Sequence, residues 1–118
     1  MRLQIQSLVL LLLVLLTSTA ARDLTVLGHI WIPINDVNNP YVIDLANFAV
    51  NEDDRLTGVM LQFEKVIKAE YQIEVINYMY HLVLSANNTS ISNKYEALVS
   101  VNKWDNFRNL TSFRALRD

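Results

Sequence analysis

The hydrophobic period of this chain changes once, near Gly58, and that change limits the possible folds more than any other feature. Before Gly58 the pattern is helical. Asn39 is typical of an N-cap, and Pro40 suits the first helical position, where a missing N–H costs nothing. The predicted helix continues to Arg55, and Gly58 is placed to end it in a left-handed conformation. Its apolar residues at helical spacing are Tyr41, Leu45, Phe48 and Ala49.

After Gly58 the apolar residues alternate with polar ones, which predicts strands of an antiparallel sheet. The predicted inward faces are Leu61, Phe63 and Ile67 in the first long strand, Tyr78, Tyr80, Leu82 and Leu84 in the second, and Tyr95, Ala97, Val99 and Val101 in the third. Shorter extended pieces are expected around residues 30–34 and 111–116, and polar residues 85–93 are expected to form a surface connection. A helix followed by strands indicates an α+β fold whose sheet curls over the helix.

The first twenty residues have the composition of a secretory signal peptide. Arg2 gives the start a positive charge, residues 8–16 are apolar, and small residues lead to Ala21. The apolar run is shorter than the roughly 20 residues that span a bilayer. We therefore expect residues 1–20 to be a removable signal peptide and residues 21–118 to be one secreted domain with no membrane attachment after signal removal.

Charge and cysteine content exclude several classes of protein. Without the leader the chain has nine basic and twelve acidic residues, a net charge of −3, so it offers no basic footprint for nucleic acid. There is no cysteine, and therefore no disulfide, thiol nucleophile or cysteine metal site. The two histidines, His29 and His81, belong to no catalytic or metal motif. We expect a protein without enzymatic activity, metal or cofactor.

Three segments resemble plant cystatins and occur in the order in which that family has them. Residues 45–52, Leu-Ala-Asn-Phe-Ala-Val-Asn-Glu, resemble the family's LARFAV-type helix signature. Residues 95–97, Tyr-Glu-Ala, lead to Trp104 and resemble the closing pattern of a loop tryptophan and a final strand. Gly28 and residues 31–34, Trp-Ile-Pro-Ile, are similar to the family's glycine-containing amino-terminal trunk and its entry to the sheet.

This resemblance implies a cystatin-like α+β fold, in which one long helix is wrapped by a curved antiparallel sheet of four to five strands. It also implies reversible, competitive inhibition of papain-like cysteine proteases by a wedge of three pieces. These pieces are the trunk near Gly28, a first hairpin loop at residues 73–77 and a second hairpin loop with Trp104. Such a wedge fills the protease cleft without offering a peptide bond for attack. The protein is expected to be a monomer or a dimer that exchanges its first strands.

The first loop departs from the family's QxVxG pattern. An alignment that begins at Gln72 recovers the glutamine and loses the valine, so we prefer the frame that begins one residue later. If the glycine position requires a left-handed backbone, Asn77 is the least costly ordinary replacement. An unpaired Glu74 carboxylate at an interface is more harmful to binding. The expected protease-binding residues are Gly28, Ile73, Glu74, Val75, Ile76, Asn77 and Trp104.

These departures leave two functions open at the level of sequence. The first is the protease inhibitor, with the trunk and both loops in contact with the enzyme. The second is a non-inhibitory secreted interaction protein that keeps the cystatin fold and has a degenerate first loop.

Three asparagines are candidates for N-glycosylation in a secreted chain. Asn87 and Asn88 each begin an Asn-x-Ser/Thr sequon in the expected surface connection, and because the sequons overlap we expect one of the two to be modified at a time. Asn109 begins a third sequon, but it lies inside the expected closing strand and is the less favoured acceptor.

Overall fold

The computed structural model describes residues 30–117, in which one helix packs on a five-stranded antiparallel sheet. The sheet has the order β1-β2-β3-β4-β5, so every strand pairs with its neighbour along the chain. This architecture confirms the expected α+β class. The elements are β1 (Ile32–Pro33), α1 (Pro40–Thr57), β2 (Gln62–Ile73), β3 (Asn77–Asn88), β4 (Ile91–Asn102) and β5 (Arg108–Ala115).

Several expectations concern residues outside the described part of the chain. These are the signal peptide at residues 1–20, the start of the secreted domain at residue 21, Gly28 and His29. Within residues 30–117, no helix is long and apolar enough to cross a membrane.

Helix α1 begins and ends where its capping residues predict. The Asn39 side chain accepts a hydrogen bond from the N–H of Tyr41 (2.9 Å), and Pro40 occupies the first turn. At the other end Gly58 has φ +78° and its N–H donates to the Asp54 carbonyl (2.8 Å). Only glycine adopts this left-handed conformation without strain, so Gly58 ends the helix and redirects the chain toward β2.

The buried face of α1 is rotated slightly from the predicted one. Leu45 and Ala49 are buried as expected, but Tyr41 is 41% exposed and Phe48 is only half-buried. Both lie at the edge of the helix–sheet contact, where Tyr41 packs edge-on against the ring of Tyr80 (5.9 Å between centroids). The fully buried helix residues are Val42, Leu45, Ala46, Ala49 and Val50.

Strands β3 and β4 bury the faces that their alternation predicts. For the first long strand the prediction holds for Leu61 and Phe63 but not for Ile67. Val66 and Ala69 are buried, whereas Ile67 is 39% exposed, which contradicts its predicted inward position. Two register shifts in β2, between Phe63 and Lys65 and between Val66 and Lys68, cause this difference. Each bulge adds an unpaired residue and reverses the alternation of the side chains that follow it. The core residues of β3 and β4 are Leu82, Leu84, Ala86, Ala97, Val99 and Val101.

The connection between β3 and β4 is much shorter than the predicted loop at residues 85–93. It is a turn at Thr89 and Ser90, both with positive φ, and the strands continue up to it on each side. Polar composition misled the prediction because two of the residues are buried in β3. The Ser85 hydroxyl donates to the Glu64 carboxylate (2.6 Å), which satisfies its polar group, and Ala86 is fully buried.

The two outer strands differ from their predicted extents. Strand β1 is reduced to two residues, Ile32 opposite Tyr71 and Pro33 opposite Glu70. Proline has no N–H to donate, so a strand containing it is confined to the edge of a sheet. Strand β5 begins at Arg108, before the expected residue 111, and forms the other edge.

Candidate functional site

The first loop, residues 73–77, joins β2 to β3 in a tight hairpin. Ile73 and Tyr78 are the last paired residues, and the N–H of Glu74 donates to the Asn77 carbonyl (2.9 Å). Val75 therefore lies at the tip, with 89% of its surface exposed. A valine at this position matches the alignment frame preferred from the sequence.

The second loop, residues 102–107, joins β4 to β5 and is held by side chains of its own residues. The Asn102 side-chain oxygen accepts hydrogen bonds from the N–H groups of Trp104 (2.8 Å) and Asp105 (3.2 Å). The Asp105 carboxylate accepts one from the N–H of Phe107 (2.9 Å). Asn106 has φ +58°, a conformation that asparagine tolerates better than most residues. These contacts fix the backbone and leave Trp104 73% exposed.

The two loops lie side by side and are joined directly. The N–H of Lys103 donates to the Ile76 carbonyl (3.0 Å), and the Lys103 ammonium lies 5.2 Å from the centre of the Tyr78 ring. Asn77 and Asn102 are also paired where β3 meets β4. The two segments, residues 73–77 and 102–107, therefore form one surface, called here the loop pair.

The loop pair carries an unusual share of exposed apolar side chains. Trp104 and Phe107 are both more than two-thirds exposed, and the apolar side chains of the first loop are about half exposed or more. Exposed aromatic residues on a fixed backbone are typical anchors of protein interfaces. The apolar residues of the loop pair are Ile73, Val75, Ile76, Trp104 and Phe107.

Comparison with known proteins identifies the family. A family model described as "Aspartic acid proteinase inhibitor" matches residues 34–116. "Cysteine proteinase inhibitor 5" of Arabidopsis thaliana is 41% identical over 108 residues, 91% of this chain and 84% of that protein. "Cysteine proteinase inhibitor 1" of Actinidia chinensis var. chinensis is 39% identical over 84 residues, 71% of this chain and 72% of that protein. The chain belongs to the plant cystatin family.

This membership confirms the resemblance read from the sequence, and with it the expectation that the protein is not an enzyme, because the family and these relatives are proteinase inhibitors. "Cystatin-1" of Zea mays is a further relative, 34% identical over 87 residues, 74% of this chain and 63% of that protein. The description of the matching family model names aspartic proteinases, whereas the names of the two first relatives specify cysteine proteinases.

In this plant cystatin, Asn77 does not need the conformational freedom of glycine. It is the first residue of β3 and is not in the left-handed region. Within residues 30–117, the residues other than glycine with positive φ are Thr89, Ser90 and Asn106. The condition considered from the sequence, a left-handed backbone at this position, is therefore not met, because the chain closes the hairpin with a strand residue.

Glu74 is the residue of the first loop that is least favourable for binding a partner protein. It is half-buried beside the exposed tip, and the ion pairs formed within residues 30–117 do not include it. A partner protein that covers the loop would have to remove water from this carboxylate.

The second loop contains a second aromatic residue that the sequence analysis did not select. Phe107 is 68% exposed and lies in the same fixed turn as Trp104. Its signal was present in the sequence, because an aromatic residue that follows Asp105 and Asn106 in a turn has little core to enter.

Arg108 ties the carboxyl end of the second loop to the helix. Its guanidinium donates to the Asp44 carboxylate (2.6 Å) and lies over the rings of Tyr41 (5.6 Å) and Phe48 (5.9 Å). Because Arg108 follows Phe107 directly, this contact restrains the end of the second loop that leads into β5.

The amino-terminal part of the expected wedge is only partly described. Trp31 is half-buried with its ring 5.6 Å from that of His81, so it packs on the sheet. Gly28 lies outside the described residues, so its protease-binding role remains a prediction. Within residues 30–117 no group of three or more His, Cys, Asp or Glu side chains could hold a metal ion.

Proposed function

We propose that this cystatin is a reversible, competitive inhibitor of papain-like cysteine proteases that inserts the loop pair into the active-site cleft. The observation that carries the proposal is the hydrogen bond from the Lys103 N–H to the Ile76 carbonyl, which places exposed Val75 and Trp104 on one rigid surface. The names of the plant relatives support the class of target.

Rigidity matters because binding costs less when the interface is already ordered. The backbone of both loops is held by internal hydrogen bonds, so little conformational entropy is lost when the protease closes around them. Val75 and Trp104 supply apolar contact area, and Phe107 adds a second aromatic anchor. The trunk at Gly28 is the third contact of the proposed wedge. Inhibition by this surface is binding and requires no reaction of the inhibitor.

We also propose that the protein is secreted after removal of residues 1–20 and is a glycoprotein. The charged start and the apolar run at residues 8–16 support export, and the sequons at Asn87, Asn88 and Asn109 support glycosylation. Sequencing of the amino terminus of secreted protein tests the export. A product that keeps residues 1–16 would refute the signal peptide.

Titration of active papain with the purified protein tests the main proposal. The apparent inhibition constant should rise with substrate concentration if inhibition is competitive, and dilution should restore activity if it is reversible. Trp104→Ala should weaken inhibition about 30-fold or more, equivalent to about 2 kcal/mol, with an unchanged melting temperature.

Ile91→Ala is the matched control for this substitution. Ile91 is 66% exposed but lies at the other end of the sheet, so its removal should not change inhibition. If Trp104→Ala and Ile91→Ala inhibit equally well, Trp104 is not an anchor.

Inhibition of an aspartic proteinase is the second candidate function. It is supported by the description of the matching family model and by the altered first loop. Pepsin titrated in parallel with papain separates the two classes. Inhibition of pepsin alone would establish this second function. Inhibition of neither enzyme would favour the non-inhibitory interaction protein.

A further inference from the structure

The end of the sheet opposite the loop pair has an exposed apolar patch of its own. Val59 is 41% exposed and Met60 is 80% exposed, and both lie in the connection between α1 and β2. We call these two residues the distal patch. Apolar side chains that face water in this way favour association with other apolar surfaces unless something covers them.

Asn88 borders the distal patch from the β3–β4 turn. It lines one surface hollow together with Val59 and Phe113, and a second hollow together with Met60. Asn87 also lines the second hollow but not the first. Asn88 is exposed and is the last residue of β3. A group attached to its side chain would therefore begin next to both residues of the distal patch.

Alternation along β3 separates Asn88 from its neighbour Asn87. Asn88 continues the face of Leu84 and Ala86, which is directed toward the helix. Asn87 continues the opposite face, which carries Ser85. On that face the pKa of Glu64 is lowered, chiefly by the Ser85 hydroxyl, and the Asn87 side chain contributes to the same effect.

We infer that Asn88, and not Asn87 or Asn109, carries an N-linked oligosaccharide that covers the distal patch. The Asn88 sequon is completed by Ser90. The acceptor lies at the far end of the sheet from the loop pair, so the glycan leaves the protease-binding surface free. Asn109 lies in β5 two residues after Phe107, where a glycan would crowd the second loop. The inference rests on the export that forms part of the proposed function.

The modification uses a donor that the secretory pathway supplies, an oligosaccharide linked to a lipid diphosphate. The Asn88 side-chain nitrogen attacks the anomeric carbon of the sugar, and a carbon–nitrogen bond forms. The bond between that carbon and the diphosphate oxygen breaks, the lipid diphosphate leaves with the electron pair, and the side-chain amide releases one proton. No oxidant or reductant is needed.

Two substitutions separate the overlapping sequons without changing either asparagine. Thr89→Ala removes the Asn87 sequon and keeps the Asn88 sequon, whereas Ser90→Ala does the reverse. Thr89 and Ser90 are adjacent in the same turn and both are exposed, so neither substitution removes a buried side chain. Thr111→Ala removes the Asn109 sequon as a further control.

Mass spectrometry of the full chain, secreted from plant cells, gives the glycan occupancy of each variant. The unaltered protein, Thr89→Ala and Thr111→Ala should carry one glycan, and Ser90→Ala should carry none. A glycan that survives Ser90→Ala but not Thr89→Ala would assign Asn87 and overturn the inference. Unaltered protein without a glycan, or with one on Asn109 alone, would also overturn it.

A separate measurement tests whether the glycan covers the distal patch. Enzymatic removal of the glycan should increase self-association, measured by analytical ultracentrifugation, at least twofold. Met60→Ser should abolish that increase, because it removes the most exposed part of the distal patch. Self-association that is unchanged by glycan removal would refute the covering role.

The papain titration distinguishes failure of this inference from failure of the proposed inhibition. Glycosylated protein and Ser90→Ala should inhibit papain equally, since residue 90 lies at the end of the sheet opposite the loop pair. Absence of a glycan with inhibition retained refutes the glycan alone. Absence of inhibition in glycosylated protein refutes the inhibitor alone.

Discussion

At the scale of single residues, the structure changes the account of the first loop. The sequence shows both the loss of glycine at Asn77 and the gain of a carboxylate at Glu74, and predicts that Glu74 is the more harmful change. The structure distinguishes the two positions, because Asn77 is an ordinary strand residue and Glu74 is a half-buried charge beside the exposed tip. The energetic weight of the altered motif therefore falls on Glu74.

Tighter papain inhibition on restoring the family pattern in the first loop should therefore depend on Glu74 alone. Glu74→Val should tighten papain inhibition at least tenfold, about 1.4 kcal/mol, because it removes a charge that the protease must desolvate. Asn77→Gly should give no gain, since there is no left-handed strain to relieve and glycine in a strand reduces stability. Inhibition constants for the two variants measure this difference.

Glu74→Gln serves as the control that separates charge from shape. It keeps the size of the side chain and should recover most of the gain of Glu74→Val. If the unaltered protein has a measurable inhibition constant and neither Glu74 variant improves it, the alignment frame that places Glu74 in the interface is incorrect.

At the scale of elements, hydrophobic period and capping residues were enough for α1 and for the inward faces of β3 and β4. Asn39, Pro40 and Gly58 act through local backbone chemistry, which a sequence displays directly. The outward position of Ile67 could not be predicted, because the bulges of β2 depend on the pairing of β2 with β3. The hydrogen bond between the loops at Lys103 and Ile76 was equally hidden, since it joins residues distant in sequence.

Substitution of Arg108 tests whether the contact with α1 holds the second loop in its binding conformation. Arg108→Ala should weaken papain inhibition about fivefold, equivalent to about 1 kcal/mol, by releasing the second loop from α1. Hydrogen exchange of the amides at residues 104–107 should become faster in the same variant. Arg108→Lys keeps a positive charge beside the Asp44 carboxylate, so it should inhibit papain better than Arg108→Ala does.

Arg114→Ala is the matched control, because Arg114 also lies in β5 and also forms one ion pair, with Glu96. The exposed Arg114 pair contributes no more than about 1 kcal/mol to folding. Arg108→Ala also loses the contacts with the Tyr41 and Phe48 rings, so it should lose more stability than Arg114→Ala. Equal effects of the two variants on inhibition would show that Arg108 has no positioning role.

At the scale of the whole molecule, a polar network crosses four elements on the sheet. His81 in β3 contacts Glu70 in β2 through Nδ1 (2.8 Å) and Glu96 in β4 through Nε2 (3.0 Å). Arg114 in β5 donates to the other oxygen of Glu96 (2.8 Å), and the Trp31 ring lies beside His81. Hydrogen bonds from His81 and then Arg114 lower the pKa of Glu96, while partial burial opposes them.

This network predicts how the stability of the folded protein depends on pH. Because the pKa of Glu96 in the folded protein lies below its usual value of 4.5, the unfolded chain takes up the proton more readily. The stabilisation by ionised Glu96 is therefore complete above that value and is lost as the pH falls through the folded pKa.

Glu96→Gln removes the charge and keeps the size of the side chain, so it should melt at a lower temperature than the unaltered protein above about pH 5. The difference should narrow as the pH falls, because the unaltered protein then loses the same charge. Glu64, whose pKa is also lowered, is present in both proteins and does not contribute to the difference. Melting temperatures measured between about pH 2.5 and 6 test this expectation, and a difference that stays constant over this range would show that Glu96 contributes through packing and not through its charge.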